Sequence, residues 1–134
     1  MINQESKNTK TIIITGANTG LGYECAKNIA QDCKTNHIIL ACRNTQRATE
    51  AVESLINETG NPNISSIELD LSSLESVRQF VNEFIKLNFP PLYAIVCNAG
   101  VQIVNGIQYT QDGFEMTFGV NHLGHFLLVN LLLG

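Results

Sequence analysis

The stretch TIIITGANTGLGYECAKNIAQDC, Thr11 to Cys33, joins two periodicities through a run of glycines. Thr11 to Thr15 is a continuous β-branched run, the pattern of a strand buried on both faces. From about Gly20 to Gln31 the pattern turns helical, with Ala26, Ile29, Ala30 and Cys33 at the spacing of one face. Between the two, TGANTGLG sets glycines at 16, 20 and 22 in the order G-x-x-x-G-x-G, unlike the G-x-G-x-x-G of the longer dinucleotide fingerprint. Gly16 permits a sharp exit from the strand. Gly20 allows a pyrophosphate to approach the backbone at the positive helix N-terminus, and Gly22 lets helix and sheet pack closely. Asn18, Thr19 and Leu21 complete the candidate phosphate-binding turn. The alternative is an ordinary glycine-rich strand-to-helix connection; position at the first junction of a strand-helix series favours the dinucleotide.

That series continues outward. His37 to Cys42 (HIILAC), Ile64 to Leu69 (ISSIEL) and Leu92 to Cys97 (LYAIVC) read as three further strands. Helical patterns run from about Thr45 to Glu58 and from about Ser73 to Leu87, the latter opening on Ser72-Ser-Leu-Glu75 as a capping box. A fourth helix is expected from Asp112-Gly-Phe-Glu115, with Asp112 as its cap, and Ala99 to Gln111 reads as a loop. Right-handed crossovers wind such a chain into the first four strands of a Rossmann-type, doubly wound parallel α/β sheet of order 3-2-1-4. Strand four would then be an edge. Its run YAIVC carries no charge or proline to discourage further pairing, so it is written as an interior strand with burial on both faces.

Composition sets the class. The chain has 134 residues, 44% hydrophobic and 15% charged, which suits one packed domain. A formal charge of −4 with eight Lys and Arg offers no basic patch for nucleic acid or an anionic membrane. The closing FLLVNLLLG is short for a bilayer span and reads as a buried helix. Cysteines 25, 33, 42 and 97 lack Cys-x-x-Cys spacing, and three lie in apolar patterns, as buried thiols in a reducing compartment would. MINQESKNTK, residues 1–10, is a polar tail without a signal-peptide core, so the expected location is cytoplasmic. Residues 11–134 form the expected dinucleotide-binding unit.

The end of the second strand bears on the choice of cofactor. A protein preferring NAD places Asp or Glu there to accept from the ribose 2′-OH. Here the position is Cys42, followed by Arg43, whose planar and permanent cation suits a 2′-phosphate. NADP is therefore the expected cofactor, against the alternative of a surface arginine that starts a helix with Arg47.

With these motifs in order, the chain resembles the short-chain dehydrogenase/reductase family over essentially everything after Lys10. The carriers are TGANTGLG, Asp70-Leu71 after strand three, CNAG at 97 to 100 after strand four, and Asn121 in the helix beyond. LACRN, LDLSSLESVRQFV and DGFEMTFGVNHLGHFLL look most like its retinol dehydrogenase and protochlorophyllide oxidoreductase branch. The resemblance implies that Asp70 and the Leu71 backbone contact the adenine, that Asn98, Ala99 and Gly100 line the cofactor, and that Asn121 supports the active-site lysine through a water. It also implies hydride transfer between NADP(H) and a carbonyl, an alcohol or a conjugated double bond, on a small and apolar substrate. Cys97 stands where the family has the first Asn of NNAG, and Asn18 where it commonly has serine. The family's catalytic Ser and Tyr-x-x-x-Lys lie beyond the Asn121 helix, so the 134 residues are expected to be a cofactor-binding half, inactive alone and a candidate for homo-oligomerisation. A noncatalytic nucleotide-binding or interaction module is the alternative.

One Tyr-x-x-x-Lys does occur, in YECAK at Tyr23 to Lys27. Its side chains fall roughly 100° from the sheet-facing stripe of a helix that points at the pyrophosphate, so it is expected to be coincidental. His122 and His125 are three apart, but no carboxylate or thiolate accompanies them, and packing roles are expected rather than a metal.

Overall fold

The computed structural model describes residues 9–101 and 105–134. Four parallel strands, β1 (Thr11–Thr15), β2 (His37–Cys42), β3 (Ile64–Glu68) and β4 (Leu92–Val96), lie in the order β3-β2-β1-β4. Helices α1 (Gly20–Asp32), α2 (Thr45–Thr59) and α3 (Leu74–Lys86) connect them. After β4 come α4 (Met116–Phe118), a π-helical segment (Gly119–Gly124) and α5 (His125–Leu133).

β1 is central and apolar on both sides because both of its faces are covered. Ile12 and Ile14 join Ile38, Leu40, Ala26, Ala30 and Leu55 in the layer under α1 and α2. Ile13 points the other way and joins Ile39, Ile67, Phe80, Val77 and Leu128 under α3 and α5. The period of two along a strand thus divides one isoleucine run between two cores. Each such side chain contributes about 1.5 to 3 kcal/mol when fully buried. The β1–β2 register is regular from Thr11↔His37 to Thr15↔Ala41, so both strands end at one level, where the glycine turn begins.

Several local expectations are corrected. The N-cap of α3 is Ser73, whose hydroxyl accepts from the Ser76 amide at 3.2 Å; Ser72 is not the cap, because it is turned back onto Asp70. Asp112 does not cap its own helix. Its carboxylate accepts from the Leu74 amide at 2.8 Å, a tertiary cap on α3, while Glu115 caps α4 by accepting from Thr117 and Phe118 at 3.1 and 2.8 Å. Local spacing alone could not distinguish these two acidic residues. Among the cysteines only Cys42 is buried; Cys25 and Cys33 are half-buried and Cys97 is exposed. β4 also departs from two-sided burial: Tyr93 is 67% exposed, with the Lys10 ammonium 4.0 Å from its ring centroid.

α4, the π segment and α5 form one continuous helical run, Met116–Leu133, of 18 residues and mean hydropathy 1.3. That length and composition would suit a membrane crossing as well as a packed helix. It packs on the second core through Val120 and Leu128, while Phe118, Phe126 and Leu133 face outward, so α5 is less buried than FLLVNLLLG suggests.

Candidate functional site

The glycine turn lies where β1 ends. Gly16 has φ +64°, and a Cβ there would sit 2.9 Å from both Cα and Cβ of Ala99. Gly22 has no room either: its Cβ would meet the Asn98 amide nitrogen at 2.5 Å, the Gly16 carbonyl at 2.8 Å and Ala17 Cα at 2.9 Å. Gly20, at φ +61°, faces open space. Two glycines therefore admit protein and the third is left clear. Thr19, the N-cap of α1, makes no side-chain cap and the first turn carries no acidic residue. α2 and α3 are both capped, by Asn44 and Ser73. The opening amides of α1, with their positive dipole end, are thus available to an anion at Gly20.

A cleft of about 220 Å³ runs from this turn across the strand ends, lined by Gly16 and Asn18, Cys42 to Asn44 with Arg47, Leu69 to Ser72, and Ala99 to Val101. It lies at the switch point between β1 and β4, where the chain reverses its winding. Cys42 occupies the end of β2, and burial pushes its thiol pKa up. A carboxylate is therefore missing from that position, and Arg43 stands beside it at the rim. Asp70 is fixed differently: one of its oxygens accepts from the amide of Ser72 at 2.9 Å and from its hydroxyl at 2.5 Å.

The Asn98-Ala99-Gly100 strip is bonded to the turn rather than resting on it. Asn98 Nδ2 donates to the carbonyls of Thr15 and Gly16 at 3.1 and 3.3 Å. The amides of Asn98 and Ala99 donate to the Thr15 hydroxyl at 3.0 and 2.9 Å. Asn121, on the π segment, clasps the far end of the strip: its Oδ1 accepts from the Val101 amide at 2.8 Å and its Nδ2 donates to the Val101 carbonyl at 2.9 Å. Gly100 lies against that amide. The anticipated residues Gly16, Asn18, Arg43, Asp70, Leu71, Ala99 and Gly100 therefore line one cleft; Thr19, Gly20, Leu21 and Gly22 form the opening of α1 next to it. Thr15 and His125 were missed as parts of this arrangement. The sequence places Thr15 at the end of the first strand and the start of TGANTGLG and gives His125 a packing role; neither points to the other, because the contact between them spans most of the chain.

YECAK behaves as its helical position requires. Tyr23 donates to Glu58 at 3.2 Å and Lys27 pairs with Glu58 at 3.5 Å, both against α2, and neither lines the cleft at the strand ends. Tyr23→Phe should leave NADPH affinity within about twofold, because the lost contact is an exposed hydrogen bond worth on the order of 1 kcal/mol to stability. Calorimetric titration with NADPH checks this, and a tenfold loss of affinity would place Tyr23 in the site. His122 is exposed between the rings of Phe118 and Phe126, with centroids 5.2 and 6.0 Å away.

The sequence model of the short chain dehydrogenase family matches residues 10–134. The chain belongs to that family. Among curated short chain dehydrogenase relatives, it is 48% identical over 123 residues to the WW domain-containing oxidoreductase of Danio rerio, a match covering 92% of this chain and 29% of that one. It is 48% identical over 126 residues to the chloroplastic protochlorophyllide reductase of Chlamydomonas reinhardtii (92% and 31%). To human retinol dehydrogenase 13 it is 45% identical over 124 residues (92% and 36%). The chain thus spans about a third of the length of the curated relatives it matches. Among solved structures, the alcohol dehydrogenase of the archaeon Thermococcus sibiricus, complexed with 5-hydroxy-NADP, superposes with TM-score 0.78 at 27% identity, covering 94% of this chain and 52% of that one. Both branches named from the sequence, retinol dehydrogenase and protochlorophyllide reductase, are among these relatives.

Proposed function

We propose that the chain is the NADP(H)-binding part of a short chain oxidoreductase that moves hydride between the nicotinamide and a carbonyl, an alcohol or a conjugated double bond of a small, apolar substrate. The observation that carries this reading is the uncapped N-terminus of α1 behind Gly20, opening into a cleft whose β2 corner holds Arg43 in place of a carboxylate. The pyrophosphate would lie on the α1 amides, the 2′-phosphate beside Arg43, the adenine near Asp70 and Leu71, and the nicotinamide end along Asn98, Ala99 and Gly100. NADP bound to the Thermococcus sibiricus relative in the form of its 5-hydroxy derivative supports the same choice. The bound cofactor supplies the hydride chemistry; these residues bind and orient it. Asn121 belongs to the catalytic end of the cleft, where family resemblance gives it the support of a lysine. The tyrosine acid and its lysine are not supplied by residues 1–134, since the one Tyr-x-x-x-Lys faces α2, so the chain alone is expected to show no reductase turnover. Four unpaired thiols favour a reducing compartment such as the cytoplasm.

Calorimetric titration of the chain tests the cofactor. NADPH should bind more tightly than NADH, and Arg43→Ala should remove most of the difference. A hydrogen bond to a charged group contributes about 1.5 to 3 kcal/mol, so the preference should be on the order of ten- to a hundredfold. Equal affinities before substitution would remove the NADP assignment and leave an undifferentiated nucleotide site.

A further inference from the structure

His125 sits on the covered side of α5, only 6% exposed, and its ring reaches β1 across the molecule. Its Nε2 lies 2.8 Å from the Thr15 hydroxyl oxygen and its Nδ1 3.3 Å from the Asn121 carbonyl. The proton positions follow from counting. Thr15 Oγ1 already accepts from the amides of Asn98 and Ala99, which occupies both of its lone pairs, so its own proton must be donated. The nearer acceptor is His125 Nε2; the Val96 carbonyl is at 3.4 Å. Nε2 is therefore bare, the ring proton is on Nδ1, and it is donated to the Asn121 carbonyl. The ring is neutral, as burial requires: desolvation lowers its pKa, opposed by hydrogen bonding to the Asn121 and Val120 carbonyls. Among the described residues, the groups facing the ring are uncharged, namely Thr15 from β1, the amides beyond it in the strip after β4, and the carbonyls of its own helix.

We propose that His125 is a positioning residue for the cofactor: as the neutral Nδ1–H tautomer it fixes the Thr15 hydroxyl, and through it the Asn98-Ala99 backbone that walls the nicotinamide end of the cleft. Protonation would put a donor on Nε2, facing an oxygen with no lone pair left. The hydroxyl would have to turn to Val96, and one of the two strip amides would lose its acceptor. Asn121 ties the same strip down at Val101, so the π segment and α5 grip it at both ends. π-helical turns are rare and, where they interrupt an α-helix, are frequently at functional sites; here the π segment carries Asn121.

This rests on the cleft being the NADP(H) site, and the test separates the two ideas. NADPH would be titrated into the unsubstituted chain, His125→Gln and His125→Phe between pH 5 and pH 8, with a thermal melt of each to establish folding. Glutamine can place an amide oxygen where Nε2 stands, and it does not titrate. Its affinity at pH 7.5 should lie within about threefold of the unsubstituted chain. Burial holds the ring below the ordinary histidine value of about 6.5, so the unsubstituted chain should keep its affinity through that value and lose it as the pH falls further toward 5, and His125→Gln should not follow; the sign is that of a group that must be neutral to serve, whose contribution is complete above its folded-state pKa and lost below it. The 2′-phosphate titrates in the same range in both proteins, so the difference between the two curves isolates His125. His125→Phe fills the space without an acceptor and should weaken binding about five- to tenfold at pH 7.5, the size of one hydrogen bond. Superimposable pH curves for the unsubstituted chain and His125→Gln would overturn the proposal. So would a folded His125→Phe that binds normally; if that variant does not fold, the glutamine comparison decides. No NADPH binding by the unsubstituted chain at any pH would overturn the dinucleotide reading itself, and this proposal with it.

Discussion

Gly22→Val should abolish measurable NADPH binding and leave the chain unable to melt cooperatively. Even alanine at this position would put its Cβ 2.5 Å from the Asn98 side chain, 2.8 Å from the Gly16 carbonyl and 2.9 Å from Ala17 Cα. Two of those three are backbone atoms of the turn itself, and the third belongs to the side chain that ties β4 to the turn through 3.1 and 3.3 Å hydrogen bonds. None can retreat without opening the β1–β4 junction. Overpacking costs about 1 to 3 kcal/mol where neighbours can adjust, and more where they cannot. Against a total stability of about 5 to 15 kcal/mol for an ordinary domain, valine at 22 removes a large share. Gly20→Ala is the matched control. Nothing lies within 4 Å of its Cβ, so its cost to stability is limited to the left-handed backbone at φ +61°, about 1 kcal/mol, while the added methyl occupies the approach to the α1 amides. Circular dichroism melts with NADPH titrations should therefore show Gly22→Val losing both fold and binding and Gly20→Ala losing binding alone. A Gly22→Val protein with a near-normal melt would mean that helix and sheet do not meet as described.

The same turn shows why much of this chain could be read in advance. TIIIT announces a two-faced strand because every position is β-branched, and the glycines announce the junction because side chains cannot occupy the space there. Strand order follows from right-handed crossovers wound in the Rossmann-type manner that the glycine turn signals. The residues that escaped reading are those whose partners are remote in sequence. Asp112 and Glu115 are equivalent as local caps, and only the fold delivers Asp112 to the Leu74 amide. His125 has no local signal for Thr15, which lies 110 positions earlier. The closing helix is more exposed than its sequence suggests, since an apolar run states that a side chain avoids water and not which neighbour covers it.

That exposure leads to the second large effect: the 134-residue chain should self-associate at micromolar concentration. β4 pairs with β1 on one side and forms the margin of the sheet, with no proline or charged side chain along Leu92–Val96 to block another strand. The helical run separately turns Phe118 and Phe126 outward, 54% and 60% exposed, with the His122 ring tilted between them. An open strand edge recruits partners through its backbone, and an exposed aromatic row offers apolar area of its own. Light scattering should give a mass above the 14.7 kDa of one chain, rising with concentration. A strictly monomeric particle with a single sharp melt would show that β4 and the aromatic row are compatible with solvent as they stand.

Hydrogen exchange read by mass spectrometry with and without NADPH locates the dinucleotide whatever the association state. Protection should appear in peptides covering Thr15 to Gly22, Cys42 to Arg47, Leu69 to Ser72 and Asn98 to Val101, and be absent over α2 beyond Arg47 and the outer face of α3. Protection confined to other segments, or no change at saturating NADPH, would contradict the assignment of the cleft.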